Sequence, residues 1–230
     1  MVQKKVSRAR KRDLEQPDRV TTFLYNLLDF AVRYKVHLSA ALGLFVVLGM
    51  ALAVMLYVAN KSENKAFSLL GQGLNKYQSM LKTSGPEKAY LDVADDFKLI
   101  MQQYPRNAGG KFARYMYANI CYNAGNYDKA IELYTQALSD FGDNLFLKNL
   151  VLSNLGYAYE AKADYERAAT YFERIASEPD SRMKDEALFN LAKIYAAMGN
   201  DDGRLNAFKK IVSDHRDSIY SEIAKERIPG

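Results

Sequence analysis

The chain has 230 residues, with 32 Lys and Arg, 27 Asp and Glu, two His and one Cys. A single Cys excludes an intramolecular disulfide, so apolar packing has to stabilise the folded part. His37 and His215 fit no metal-ligand spacing and no Ser/His/Asp arrangement, and the GGK at 109–111 lacks the other residues of a phosphate loop. We therefore predict no catalytic residue, no metal, no cofactor and no small-molecule substrate.

The N-terminal segment, residues 1–36, is basic. Its balance of +5 equals the formal net charge of the whole chain, so residues 37–230 are neutral overall. Its basic residues are Lys4, Lys5, Arg8, Arg10, Lys11, Arg12, Arg19, Arg33 and Lys35. We interpret this segment as a cytoplasmic tail that sets membrane topology; binding to nucleic acid or to anionic lipid is the alternative, and we predict no nucleic-acid partner.

Residues 20–34 repeat apolar side chains at helical spacing, at Val20, Phe23, Leu24, Leu27, Leu28 and Ala31. This pattern predicts a short amphipathic helix next to the membrane, lying in its cytoplasmic interface. The alternative is a plain N-terminal extension of the following membrane helix.

The run from Leu38 to Ala59 contains no charged residue. A helix of that length, at about 1.5 Å per residue, spans the ~30 Å hydrocarbon core of a bilayer. We predict a transmembrane signal anchor over 37–60, with the N-terminus in the cytoplasm and residues 61–230 exported. A cleaved signal peptide is the alternative, although it would need an unusually long n-region and h-region.

Residues 61–230 contain a helical repeat. Three segments, 117–137, 155–175 and 191–211, align without gaps around a helix–turn–helix. They share a small residue in the first helix, a small residue at the turn and an aromatic residue in the second helix; these are Ala118, Gly156 and Ala192, then Gly125, Ala163 and Gly199, then Tyr134, Phe172 and Phe208. The small residues allow close helix packing, Gly suits the left-handed turn, and Asn126 and Asp164 are suited to cap the second helices.

This pattern resembles the tetratricopeptide repeat, whose unit is about 34 residues long. We expect an all-α fold, in which a single transmembrane helix precedes a tetratricopeptide-like α-solenoid. It would have a partial repeat over 62–105, repeats at about 111–142, 149–179 and 185–215, and a C-terminal cap over 218–228. An unrelated helical bundle is the alternative.

The resemblance also implies a binding surface, because the first helix of each tetratricopeptide repeat faces a concave groove. The matching positions are Phe112, Tyr115, Met116, Asn119, Tyr122, Leu150, Ser153, Asn154, Tyr157, Glu186, Phe189, Asn190 and Lys193. This predicted groove is aromatic and rich in amides. Its only basic residue is Lys193, so the subclass that clamps a peptide carboxylate is not matched.

The layout of tail, anchor and repeats is similar to the bacterial YfgM-like inner-membrane family, whose members are described as partners of the Sec translocon and of periplasmic chaperones. The resemblance implies a non-enzymatic, membrane-anchored interaction module on the periplasmic side, with Sec translocon, chaperone or nascent polypeptide as protein partners, which assists protein translocation or periplasmic chaperoning. The alternative is a structural subunit of an envelope secretion or cell-wall complex.

Overall fold

The computed structural model describes residues 19–229, and the basic run at residues 4–12 lies outside that range. The described residues form helices and no strand. The helices are α1 Arg19–Arg33, α2 Lys35–Gln103, α3 Ala108–Asn123, α4 Tyr127–Asp140, α5 Leu145–Ala161, α6 Tyr165–Ser177, α7 Lys184–Ala197, α8 Asp201–Asp214 and α9 Ser221–Glu226. The chain divides into two compact units, Met1–Ala59 and Asn60–Gly230.

Helix α2 contains the uncharged run. Within residues 19–229 it is the helix whose length and composition are sufficient to cross a membrane. The side chains of residues 38–59 are exposed, as expected for a segment that no protein core covers. The all-helical fold with one long apolar helix near the N-terminus is thus confirmed.

The second part of α2 bends back on itself at Gly85, where φ is 79° and ψ is 172°, with Pro86 next. The two segments then pack closely. A Cβ on Gly73 would lie only 3.2 Å from Cε2 of Phe97, and the Lys76 Nζ lies 2.7 Å from Asp96 Oδ2. This helix pair lies within residues 62–105, for which the partial repeat stays a prediction.

Helices α3 to α8 form three antiparallel pairs, α3 with α4, α5 with α6 and α7 with α8, and each pair packs on the next. The core includes the small and aromatic residues of the repeat pattern, together with Leu, Ile and Val side chains. Ala118, Ala168 and Ala192 have no exposed surface, and Tyr134 and Phe172 are almost fully buried. The short helix α9 packs on α8 and buries Ala224.

The three turns within these pairs have one geometry. Gly125, Ala163 and Gly199 all have positive φ, at 76°, 58° and 71°. The next residue donates its backbone N–H five residues back, as in Asp164 N to Tyr159 O at 2.9 Å, which closes the first helix. The same residue then caps the second helix: the side chains of Asn126, Asp164 and Asn200 accept from the backbone N–H three residues on.

The third pair departs from the repeat pattern where the sequence does. Asp201 and Arg204 replace an aromatic and a small residue of the other repeats. They form an ion pair, with 2.8 Å between Arg204 Nη2 and Asp201 Oδ1. Packing between apolar groups is thus replaced by a charged pair on the partly exposed surface of α8.

Helix α3 begins without a side-chain cap from its own N-terminal residue. Glu63, which is far from α3 in the sequence, caps this helix instead. Its carboxylate accepts the N–H of Gly109 at 2.8 Å and the N–H of Ala108 at 3.1 Å. Partial burial opposes ionisation, but these N–H groups and the Asn107 amide outweigh it and lower the pKa of Glu63. Gly109 is required for this approach, since a Cβ there would lie 2.7 Å from the Cβ of Ala66.

Ala163 provides a test of the turn geometry, because an L-residue with a side chain is strained in the left-handed region. Ala163→Gly should stabilise the repeat unit by about 0.5–1 kcal/mol, after the greater chain entropy of Gly in the unfolded state is deducted. For a unit of this size the melting temperature should rise by roughly 1–4 °C. Thermal unfolding of the purified protein, followed by circular dichroism, measures it.

The matched control is Gly125→Ala, which introduces at the equivalent turn the strain that Ala163→Gly removes. It should lower the melting temperature. If both variants melt at the wild-type temperature, the left-handed turns do not contribute to stability as described.

Candidate functional site

The candidate site is the surface formed by the first helices of the three pairs, α3, α5 and α7; we call it the helix-A face. It comprises the predicted groove residues Phe112, Tyr115, Met116, Asn119, Tyr122, Leu150, Ser153, Asn154, Tyr157, Glu186, Phe189, Asn190 and Lys193. Most of them are half-buried, so one side of each side chain meets solvent. Lys193 is exposed.

Two of the predicted groove residues have almost no accessible surface. Ser153 is 4% exposed and Asn190 is 5% exposed. Asn190 lies where the second and third pairs meet, because its amide donates to Tyr157 of α5. Because a buried side chain cannot contact a partner, the surface available for binding is confined to the other positions.

Hydrogen bonds join the first and second pairs across the helix-A face. The Asn154 Nδ2 of α5 donates to Tyr115 Oη at 3.0 Å and to Asn119 Oδ1 at 3.2 Å, both on α3. Asn119 Oδ1 also accepts the hydroxyl of Tyr134 at 2.6 Å. One amide oxygen thus connects the face of α3 to the buried ring of α4 and to the neighbouring helix α5.

The second and third pairs are joined in the same way. Asn190 Nδ2 of α7 donates to Tyr157 Oη at 2.8 Å, and Tyr157 donates to Glu186 Oε1 at 3.0 Å. The ring of Tyr157 lies edge-on to Phe172, with centroids 5.3 Å apart. Burial raises the pKa of Tyr157 to about 12, and the adjacent Glu186 carboxylate adds to the increase, so the phenol stays protonated at neutral pH.

These contacts change what the amides can do for a ligand. Both hydrogens of Asn154 Nδ2 are directed at Tyr115 and Asn119, so its carbonyl oxygen is the part left for a partner. Asn119 already accepts two hydrogen bonds. The face therefore offers few free donors, and its accessible surface is mainly aromatic and apolar.

The face carries little net charge. Lys193 Nζ lies 3.4 Å from Glu160 Oε1 on the neighbouring pair, and Glu186 accepts from Tyr157. Since the basic group is paired, a carboxylate ligand would have to compete with Glu160 for it. This fits the absence of the carboxylate-clamp pattern in the sequence.

Three family models of the tetratricopeptide repeat match the chain, at residues 112–144, 151–183 and 186–218. The chain contains tetratricopeptide repeats. Each matched segment begins within the first helix of a pair, α3, α5 or α7, and ends beyond the second helix of that pair. No curated protein matches the chain. Proteins built from tetratricopeptide repeats are typically non-enzymatic interaction modules, so protein partners are indicated.

A cavity of about 680 Å³ lies away from the helix-A face, between α6, α7 and α8 of the second and third tetratricopeptide repeats. Leu188, Leu191 and Ala207 contribute apolar walls, and Lys210 and His215 contribute polar ones. No sequence motif predicts this cavity. Gly203 in its wall stands where the other repeats have Lys129 and Arg167, and a Cβ there would lie 2.7 Å from Asn200 Nδ2.

The buried Cys121 takes no part in either surface. It has no exposed area, and burial raises the pKa of its thiol to about 12. It fills a helix-packing position of the first tetratricopeptide repeat, as a small apolar residue would. In the described residues there is also no group of three or more His, Cys, Asp or Glu that could hold a metal ion.

The hydrogen bonds between tetratricopeptide repeats can be tested at Tyr157. Tyr157→Phe keeps the ring against Phe172 but removes the hydroxyl shared by Asn190 and Glu186. It should destabilise the protein by about 1–2 kcal/mol, because Asn190 is buried and loses its acceptor. Denaturant unfolding, compared at constant m-value, measures the difference.

Tyr122→Phe is the matched control, since the Tyr122 hydroxyl bonds no described residue. Its effect should stay within about 0.5 kcal/mol. Equal stabilities of the two variants would contradict the structural role assigned to the Tyr157 hydroxyl.

Proposed function

We propose that the chain is a membrane-anchored, non-enzymatic protein–protein interaction module of the bacterial inner membrane. Its N-terminus would be cytoplasmic and residues 61–230 periplasmic. The support is the uncharged run 38–59 in α2, together with the excess of positive charge confined to residues 1–36. Basic residues flanking a span are retained in the cytoplasm.

We propose that the helix-A face binds extended polypeptide. The observation that carries this is the row of half-buried aromatic and apolar side chains from three successive repeats, among them Phe112, Met116, Leu150 and Phe189. Aromatic groups provide large contact area with few rotatable bonds. The hydrogen bonds between the repeats hold this surface in one arrangement, which lowers the ordering cost of binding.

The proposed membrane anchor would hold the helix-A face close to the membrane surface. A module tethered to the membrane meets chains that emerge there at high effective concentration, so modest intrinsic affinity is sufficient. The likeness to the YfgM-like layout supports a role in protein translocation or periplasmic chaperoning, with the Sec translocon, chaperones or nascent chains as partners. The face itself, aromatic and nearly neutral, is suited to unfolded segments rather than to charged ligands.

The topology can be tested with a reporter enzyme that is active only in the periplasm. Fused after Gly230, it should be active. Reversing the charges of Lys4, Lys5, Arg8, Arg10, Lys11 and Arg12 should reduce this activity, because these residues set the orientation. A reporter active in the cytoplasm at the wild-type C-terminus would contradict the proposed orientation.

The binding surface can be tested by adding charge to it. Met116→Glu with Leu150→Glu places two carboxylates on the half-buried, apolar part of the helix-A face without removing a hydrogen bond between repeats. An extended apolar ligand would have to desolvate both, so affinity should fall at least tenfold. Binding of a fluorescent, permanently unfolded polypeptide to the purified protein measures it.

The matched control adds the same charges to the second helices. Thr135 and Thr170 are exposed, and their hydroxyls bond only the backbone of their own helices. Thr135→Glu with Thr170→Glu should bind as wild type does. If the control loses binding and the helix-A variant keeps it, the binding site lies on the second helices. If the protein binds no unfolded chain but forms a stable complex of fixed stoichiometry with other proteins, the alternative of a structural assembly subunit is favoured.

A further inference from the structure

Helix α1 has one wide apolar side and one narrow polar side. At 100° per residue one sector of the helix is apolar, with Phe30 at its edge; it contains Val20, Phe23, Leu24, Leu27, Leu28 and Ala31. Thr22, Asn26, Asp29 and Arg33 lie opposite, and Arg33 Nη2 is 3.5 Å from Asp29 Oδ2. Phe23 is 64% exposed and Leu28 is 61% exposed. A continuous apolar face of this size is unfavourable in water and requires a cover.

The chain places α1 beside the proposed bilayer. Only Tyr34 separates α1 from α2, and Leu38 begins the uncharged run. Tyr34 is bonded to both helices: its N–H donates to Phe30 O of α1 at 2.9 Å, and its carbonyl oxygen accepts the N–H of Leu38 in α2 at 2.8 Å. At about 1.5 Å per residue, the end of α1 lies within roughly 10 Å of the hydrocarbon edge.

The residues at this turn are those that favour the headgroup layer. The ring centroids of Phe30 and Tyr34 are 4.8 Å apart, and those of Tyr34 and His37 are 6.2 Å apart. Aromatic rings with a polar end concentrate at membrane interfaces. Arg33 and Lys35 are the sequence neighbours of Tyr34, so two cations stand at the level where lipid phosphates are expected.

The net charge of the N-terminal segment indicates which kind of surface covers the apolar face of α1. Residues 1–36 hold all of the formal net charge of +5. Two such segments repel each other, which disfavours a second copy as the cover. An anionic lipid surface attracts them, at about 1 kcal/mol for each basic residue near it.

We propose that α1 lies in the headgroup layer of the membrane that α2 crosses, with its apolar face toward the acyl chains, and that the flanking Lys and Arg bind anionic lipid headgroups. This rests on the membrane anchoring in the proposed function. The helix would then fix the cytoplasmic end of the anchor by lipid contacts, in addition to the topology signal.

The test uses the full chain with one added Cys, since Cys121 is buried and the unaltered protein serves as the labelling control. A fluorophore is placed at Leu27→Cys on the apolar face, at Asn26→Cys on the polar face, or at Leu48→Cys within the uncharged run. Each protein is reconstituted into vesicles of equal parts phosphatidylcholine and phosphatidylglycerol. Lipids brominated along the acyl chain then quench probes that contact hydrocarbon.

We expect the Leu27→Cys probe to be quenched at least twofold more strongly than the Asn26→Cys probe. The difference should shrink in vesicles of phosphatidylcholine alone, because the anionic headgroups are absent. The Leu48→Cys probe should be quenched in both kinds of vesicle.

Every other outcome contradicts a specific part of the proposal. Quenching at Leu48→Cys with equal quenching of the two α1 probes overturns the inference and leaves the anchoring intact. No quenching at Leu48→Cys overturns the anchoring and the inference with it. Strong quenching at Leu27→Cys that is equal in the two kinds of vesicle overturns the role of anionic headgroups. A Leu27→Cys probe that is protected from quenching only at high protein density overturns the lipid contact, because another protein molecule then covers the apolar face.

Discussion

The close approach of the two helices within each pair is the constraint on which the repeat unit depends. Gly156 of α5 lies against the ring of Phe172 in α6, where an added Cβ would come within 2.7 Å of the ring. Gly73 lies against Phe97 in the same way. At the equivalent position, Ala118 is fully buried and Tyr134 nearly so. A larger residue at any of these positions would force the helices apart, at a typical cost of 1–3 kcal/mol.

The same contacts determine the helix-A face. The ring of Tyr134 fills the core of the first pair, while its hydroxyl reaches Asn119 on the face. Tyr157 packs edge-on against the core ring of Phe172 and carries the hydrogen bonds to the third pair. Core packing and surface geometry are therefore coupled through shared rings, which hold the helix-A face that we propose as the binding surface in one arrangement.

The sequence was sufficient to predict the features that local chemistry controls. The repeat register located the turns at Gly125, Ala163 and Gly199, and the caps at Asn126 and Asp164 follow from side chains that suit an N-terminus. Asn200, which caps α8 in the same way, follows the pattern without having been singled out. The uncharged run predicted the long apolar helix by its length and its lack of charge.

Other features could not be predicted, because they depend on the offset between neighbouring pairs. The register gives the face on which Asn154 and Asn190 lie, but not that Asn154 reaches back to Tyr115 or that Asn190 is buried against Tyr157. The carboxylate of Glu63 caps a helix that begins at Ala108, a contact with no local sequence signal. The cavity beside Gly203 likewise arises from the spacing of three helices.

Site-specific photo-crosslinking in native membranes tests the central claim most directly, which is that the helix-A face receives a polypeptide. A photoreactive amino acid at Phe189 or Tyr122, both half-buried on that face, should form adducts with protein partners. The same group at the exposed Thr135 or Glu173 on the second helices should form few. Adducts formed mainly from Thr135 and Glu173, with none from the helix-A face, would contradict the account.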